Sequence, residues 1–396
     1  SSKTSNQGNA GSIIMSSNNI KLNDKSSVSS DSEGAGSAGS INLFTNNTLV
    51  LTNEAYVTSN AYGRGDAGSV KVATENLHIE GTGLSTIVTL IGSDTFGEGN
   101  AGSVEIEAFG EIVLKSGGQI SSNTFGSGKA GDVIVKAEAI QIDRLNGETF
   151  TGITSQAQGI GDAGDVVVEV SESLSLYAGG NINSSTFFQG KAGSVTISAN
   201  DIYLDADGAD TALTSTAISS DTYGSGDAGS VYINAAHNLM VQNGAFISSA
   251  AFLSASGNAG LVSIDSGNIY LNRNSADYFT GITSQTLSNG NAGLVSINNS
   301  GLISINNGAY INSNTFGPGN AGGVEIYSNQ IEINGYDSDF GTAISSDSGS
   351  AINSANDLIG AAGNVDITVL NDLYVFNGGK ISSTAYAQGD AGVVNI

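Results

Sequence analysis

The chain has 396 residues, of which 55 are glycine, 1 is proline and none is cysteine or tryptophan; 39% are hydrophobic and 12% charged. Acids outnumber bases 37 to 12, for a net charge of −25. That balance speaks against nucleic acid or an anionic membrane as partner, since both bind through basic patches. It suits a soluble extracellular surface with carboxylates available for Ca²⁺. Lack of cysteine excludes disulfides and thiolate metal sites, and no apolar run reaches the ~18 residues of a membrane span. A single globular core of this length would normally split into domains, a limit that repeat proteins escape because each unit packs only on its neighbours.

One six-residue motif recurs from end to end. It begins as Gly8-Asn9-Ala10-Gly11-Ser12-Ile13 and ends as Gly389-Asp390-Ala391-Gly392-Val393-Val394. Between them its alanine stands at Ala38, Ala67, Ala101, Ala130, Ala163, Ala192, Ala228, Ala259, Ala292, Ala321 and Ala362. The spacings run from 28 to 41 residues, and from Ala67 onward a long unit alternates with a short one. The underlying repeat is therefore a doubled unit, and some feature is expected on every second layer.

The short unit between Ala101 and Ala130 displays the grammar most clearly. Ser103 to Glu107 alternates polar and apolar residues, Ile112-Val113-Leu114 follows, and then Gln119-Ile120-Ser121-Ser122, with glycines at the breaks. Period-two alternation in short segments separated by glycine turns predicts three strands per coil of a parallel β-solenoid. The pattern returns at Val166–Glu169, Leu174–Leu176 and Asn181–Asn183, and again at Val324–Ile326, Ile331–Ile333 and Ala343–Ser345. No stretch has helical periodicity. The fold class is all-β: about thirteen three-stranded coils forming one elongated domain over residues 1–396. Neither end resembles a capping repeat, so the chain is expected to be a segment of a longer chain or fibre, or a subunit whose ends stack on other copies.

Stacking at about 4.8 Å per layer puts equivalent side chains above one another. The repeat pairs Ala67-Gly68, Ala101-Gly102, Ala130-Gly131, Ala163-Gly164, Ala192-Gly193 and Ala228-Gly229 are assigned structural roles. The alanine is expected in a tight corner. The glycine is expected either to adopt a backbone conformation closed to other residues or to let the neighbouring coil approach. Five residues before the alanine an aromatic recurs, at Tyr62, Phe96, Phe125, Phe187, Tyr223, Phe316 and Tyr386. These predict an offset stack, read as core or turn packing, with a carbohydrate platform as the alternative. Ile120, Ile182, Ile247, Ile311 and Ile381 predict an apolar ladder.

The extra residues of the long units fall at Glu80–Ser85, Asp143–Phe150, Asp205–Ala212, Asn272–Phe279 and Asn334–Phe340. They predict insert loops on alternate coils, where ligand contacts would sit. Two are nearly identical, running from Thr149 to Gln156 and from Tyr278 to Gln285. Phe150, Tyr278, Phe279, Tyr336 and Phe340 are either ligand contacts or pins that hold each loop to the rod. Asp205, Asp207 and Asp210 in one insert, with Asp337 and Asp339 in another, are the calcium candidates, with solvated turn carboxylates as the alternative. At the second motif position Asp66 and Asp227 are replaced elsewhere by Lys129 and Lys191, which points to solvent exposure rather than a ligand role.

The GNAGSV/GDAGSV motif, the Val-x-Ile strand after it and Ile120-Ser121-Ser122-Asn123-Thr124-Phe125-Gly126 resemble the repeat region of large filamentous-haemagglutinin-type exoproteins. These are the GNAG-x-I-x-I forms found in cyanobacteria and other bacteria. The resemblance covers essentially the whole chain. It implies a right-handed parallel β-helix, two-partner secretion and a role as a cell-surface adhesin or fibre. The secretion-domain Asn-Pro-Asn motif of such proteins is absent from this sequence, and the coils are longer than those of the best-known haemagglutinins.

The leading expectation is a non-enzymatic structural rod of an extracellular bacterial surface adhesin or fibre, in a surface layer or biofilm matrix. Its partners would be neighbouring copies or flanking repeats, with surface glycans or another cell's surface also open. The alternative is a self-assembling filament subunit joined end to end. A carbohydrate-active β-helix enzyme is a third reading, but His78 and His237 lie far apart and no layer concentrates acids and bases. No catalytic residue or cofactor is assigned beyond the calcium candidates.

Overall fold

The computed structural model describes residues 1–83, 88–145, 147–207, 215–252, 255–274, 278–336, 341–349, 360–386 and 388–396. Among these there is no helix, and the strands form two sheets of 13 and 15 strands in which every pairing is parallel. Each coil supplies one short strand to the first sheet, such as Gly180–Thr186, and one long strand to the second, such as Val166–Tyr177. The chain is thus a β-solenoid in which successive coils stack in register. Ile153, Ile182, Ile218 and Ile247 lie directly over one another, as do Val133, Val166, Val195 and Val231.

Three strand segments per coil are present, but the first two are usually halves of one bent strand. Glycine breaks suggested a turn between them. Instead the backbone stays extended round the corner and absorbs the change of direction as a register shift, for example between Ala137 and Ala139 and between Glu169 and Ser173. Among the described residues two coils separate the segments, at Val70–Thr74 with Asn76–Glu80 and at Val104–Ala108 with Glu111–Lys115.

Alternation then builds the core. In the coil starting at Val166, the side chains of Val166, Val168, Val170, Leu174, Leu176 and Ile182 all turn inward and are buried. Each such side chain contributes about 1.5–3 kcal/mol on burial. β-branched residues dominate because their stiff χ1 suits a pleated surface packed from one side. The Ile ladder read from the sequence (Ile120, Ile182, Ile247, Ile311) is fully buried, with Ile381 partly buried against it.

The long strand ends in a tight turn with left-handed residues. In the short coils these occur in pairs, including Asn53 and Glu54, Ser116 and Gly117, Asn243 and Gly244, and Asn307 and Gly308. Asn and Gly suit these sites because both tolerate positive φ. In the long coils the inserts leave from the same place, between the long strand and the short one, as their spacing predicted.

Candidate functional sites along the rod

The motif forms a corner whose central partner is a serine in the short strand. Ser184 Oγ accepts the Gly193 N–H of its own coil at 2.9 Å and donates to the Gly164 carbonyl of the preceding coil at 2.9 Å. The same pair of bonds recurs in coil after coil, at Ser59, Ser93, Ser122, Ser220, Ser249, Ser313 and Ser383 among others. Ser184 is fully buried, so the hydroxyl satisfies two backbone groups that water cannot reach. Motif and Ile-Ser-Ser segment are thereby one device, which the sequence shows only as two separate repeats.

The motif glycine resolves between the two roles expected for it. It does not have positive φ; a Cβ on Gly193 would lie 2.2 Å from the Gly164 carbonyl oxygen, so the close approach of coils is what requires glycine. The motif alanines are buried or half-buried at the turn, apart from the exposed Ala391 of the last coil, and stand outside the hydrophobic core cluster. The residue between the motif's first glycine and its alanine is exposed or half-buried, and where it is Asp or Asn its side chain tethers the neighbouring coil. Asp66 Oδ1 accepts the Asn100 N–H, Asn100 Oδ1 the Lys129 N–H, and Asn258 Oδ1 the Asn291 N–H. Where lysine interrupts this ladder it pairs instead, Lys129 with Asp162 at 2.9 Å and Lys191 with Asp227 at 3.2 Å. Asp162 and Asp227 are held below the usual carboxylate range, first by the backbone N–H of the next coil (Lys191 and Asn258) and further by these lysines.

The aromatic repeat lies on the outside. Tyr62, Phe96 and Phe125 form one stack with centroids 4.9 and 4.7 Å apart, and Phe187, Tyr223 and Phe252 a second at 5.0 and 4.6 Å. Interplanar angles of 2–7° mean that each ring gives its faces to its neighbours and its edge to solvent. A pyranose binds an aromatic through an open face, so the stacks offer one only where they end. Gln158 and Leu287 occupy the equivalent rung and interrupt the series. Phe316 and Tyr386 are exposed at the same position. Phe252 escaped the sequence reading because the alanine is a variable ruler. Measured from the short-strand Ile or Val, the aromatic is always the fifth residue on, as from Ile247 to Phe252.

The period doubling has a bonding counterpart. Every long coil begins its short strand with a buried threonine, whereas the short coils have Ala55, Gly118, Gly180, Ala245 or Ala309 there. Thr89, Thr151, Thr216, Thr280 and Thr342 each accept, on Oγ1, the N–H of the second turn residue in the short coil before it, at 2.7–2.8 Å. Long and short coils are thus latched in pairs.

The inserts fold back onto the scaffold and, at one pair, onto each other. The Glu148 N–H donates to the Gly83 carbonyl at 2.7 Å, joining inserts of two successive long coils across the short one between them. Phe279 lies between Phe246 and Tyr310, with centroids 6.2 and 6.1 Å away, so it pins its loop to the rod. The Phe150 carbonyl accepts from Gln119 Nε2 at 3.0 Å. Tyr278 and Tyr336 are exposed, while Phe340 lies outside the described residues. Arg144 and Arg273, each the first residue after a long strand, are almost fully buried, and Arg144 Nε donates to the Thr149 carbonyl. The sequence alone shows them as scattered bases with no assigned role. Their recurrence beside the two near-identical inserts was the available signal.

Of the calcium candidates, Asp210, Asp337 and Asp339 lie outside the described residues. Asp205 is engaged by Gln242 Nε2, Asn243 Nδ2 and the Asp207 N–H at 2.8–2.9 Å, so protein donors occupy its oxygens. Asp207 is exposed. Among the described residues no group of three or more His, Asp or Glu is placed to share a metal ion. His78 pairs with Glu80 at 3.2 Å and His237 with Asp201 at 3.7 Å, in different coils. Comparison with protein-family models, with curated proteins and with solved structures returns no match.

Proposed function

We propose that this chain is a non-enzymatic structural rod of an extracellular bacterial surface adhesin or fibre. The observation that carries the proposal is uniformity. One cross-section, with the same serine bridge, the same glycine contact and the same apolar interior, is repeated in coil after coil, and no described coil is set apart by a cluster of reactive groups. A catalyst concentrates its chemistry in one place, whereas a spacer distributes its bonds evenly along its axis. Hydrogen bonds running coil to coil resist bending and stretching together, as a stalk needs. Secretion by a two-partner route follows from the family resemblance of the repeats. Contacts with glycans or another cell would be made by the insert edge, where Tyr278 and Tyr336 are exposed. Calcium, if it serves the rod, would sit in the inserts that contain Asp207, Asp210, Asp337 and Asp339.

The test combines the native mass with a deletion. A native chain far above 39.7 kDa supports a stalk segment, and one near 39.7 kDa supports an end-to-end filament subunit instead. Removing one doubled unit in frame, residues 65–127, should shorten the surface fibre while leaving it folded and exported. A fibre of unchanged length would sink the stalk reading.

A further inference from the structure

We infer that the threonine latch protects the Asn-Gly turns of the rod from spontaneous deamidation, leaving Asn289 as an unprotected site at which the folded rod ages. Asn-Gly is the most reactive asparagine pair in a chain because glycine does not obstruct the attack. The peptide nitrogen of the glycine loses its proton and attacks the asparagine Cγ, and ammonia leaves. Water then reopens the five-membered imide at either carbonyl, giving aspartate or isoaspartate. The net reaction consumes one water and releases one ammonia, and needs no catalyst.

Two such pairs, Asn243-Gly244 and Asn307-Gly308, occupy the tight turns of short coils. Their glycine N–H groups are buried and donate to Thr280 Oγ1 and Thr342 Oγ1, each at 2.7 Å. The attacking nitrogen must release that bond, and its peptide must swing towards Cγ, before the imide can close. The asparagine side chains are tied as well. Asn243 Nδ2 donates to Asp205 Oδ1 at 2.8 Å, Asn243 Oδ1 accepts from Asn274 Nδ2 at 2.7 Å, and Asn307 Nδ2 donates to Asn272 Oδ1 at 3.0 Å.

Asn289-Gly290 has the same buried glycine but neither kind of tether. Asn289 is exposed, and neither its side chain nor the Gly290 N–H has a hydrogen-bond partner among the described residues. Gly290 is the first glycine of a motif, and a Cβ on it would lie 1.9 Å from the Gly257 carbonyl oxygen. Isoaspartate at 289 adds a backbone methylene immediately before this contact and displaces the coil there. Asn377-Gly378 is also exposed and its glycine N–H is without a partner among the described residues, while Asn377 Nδ2 donates to Asn334 Oδ1 at 2.9 Å as Asn307 does to Asn272, so it is a second comparator that isolates the glycine N–H. The Gly335 N–H after Asn334 is taken by the Phe376 carbonyl, and Asn146 lies outside the described residues.

The test incubates the intact folded chain at mildly alkaline pH and follows amide-to-acid conversion at each asparagine by peptide-mapping mass spectrometry. Asn289 and Asn377 should convert at least roughly tenfold faster than Asn243 and Asn307, since one buried hydrogen bond must be surrendered at the latched sites. Thr280→Val should raise conversion at Asn243 alone, with Asn307 as internal control, and Thr280→Ser should restore protection. Equal rates at Asn243 and Asn289 in the unaltered chain would overturn the inference, as would an Asn243 rate unmoved by Thr280→Val. Should that variant loosen the coils, Asn307 would rise with Asn243, and the comparison within the unaltered chain decides.

Discussion

Replacing Ser184 with alanine removes one hydroxyl and strands two backbone groups. Both bonds of Ser184 are 2.9 Å long, one to the Gly193 N–H and one to the Gly164 carbonyl, and the side chain is fully buried in a central coil. Alanine fills the space without clashing, so the cost comes from desolvated groups left unpaired. Each costs about 1–3 kcal/mol, which puts Ser184→Ala at about 2–6 kcal/mol. Ser185, the next residue, is also buried but has no side-chain bond among the described residues, so Ser185→Ala strands no backbone group and should cost less than about 1 kcal/mol. Unfolding in denaturant gives the overall loss, and hydrogen exchange at the Gly193 amide localises it. A Ser184→Ala chain as stable as Ser185→Ala, with Gly193 still protected, would refute the serine bridge as the element that holds the motif corner together.

Gly193→Ala should cost at least as much, because its Cβ would sit 2.2 Å from a backbone oxygen that cannot move without separating two coils; a melting temperature unchanged from the parent would contradict this. Burial pushes the Asp94 carboxyl up to about 7, against the opposing hydrogen bonds of Asn123, and Asp221 up to about 6. A raised carboxylate favours the folded state while protonated, so stability from Asp94 is full below its unfolded value of 3.8 and is lost as pH rises through about 7. Asp94→Asn, which matches Asn60 and Asn123 in the neighbouring coils, should therefore stabilise the rod at pH values above 7 and flatten its pH profile between 4 and 7. An unchanged profile would count against a desolvated Asp94. Chelation by EDTA should leave the melting temperature where it is, since Asp205 is already bonded to protein donors; a large fall would move calcium to the centre of the inserts' role.

Much of the architecture could be read from residue order, because a solenoid translates sequence period directly into space. Alternation at Val166, Val168 and Val170 marks an inward face, and the recurrence of Ile182 and Ile247 marks a ladder, with no long-range topology to infer. What stayed hidden was bonding between repeats. The Ser184 bridge joins residues 9 and 20 positions apart, and Thr280 reaches back 36 positions to Gly244, so neither has a local pattern. Period doubling was visible as spacing, but the threonine latch that accompanies it needed the two coils side by side. Ring orientation was likewise illegible, since an aromatic repeat looks the same whether it presents faces or edges. The corner after Val170 also misled, because a bulge leaves the same polar residues in sequence as a turn.

Immunogold electron microscopy of intact source cells tests the central claim most directly. A structural rod of a surface fibre predicts label along filaments that project from the outer face of the cell. Label confined to the cell interior would contradict it.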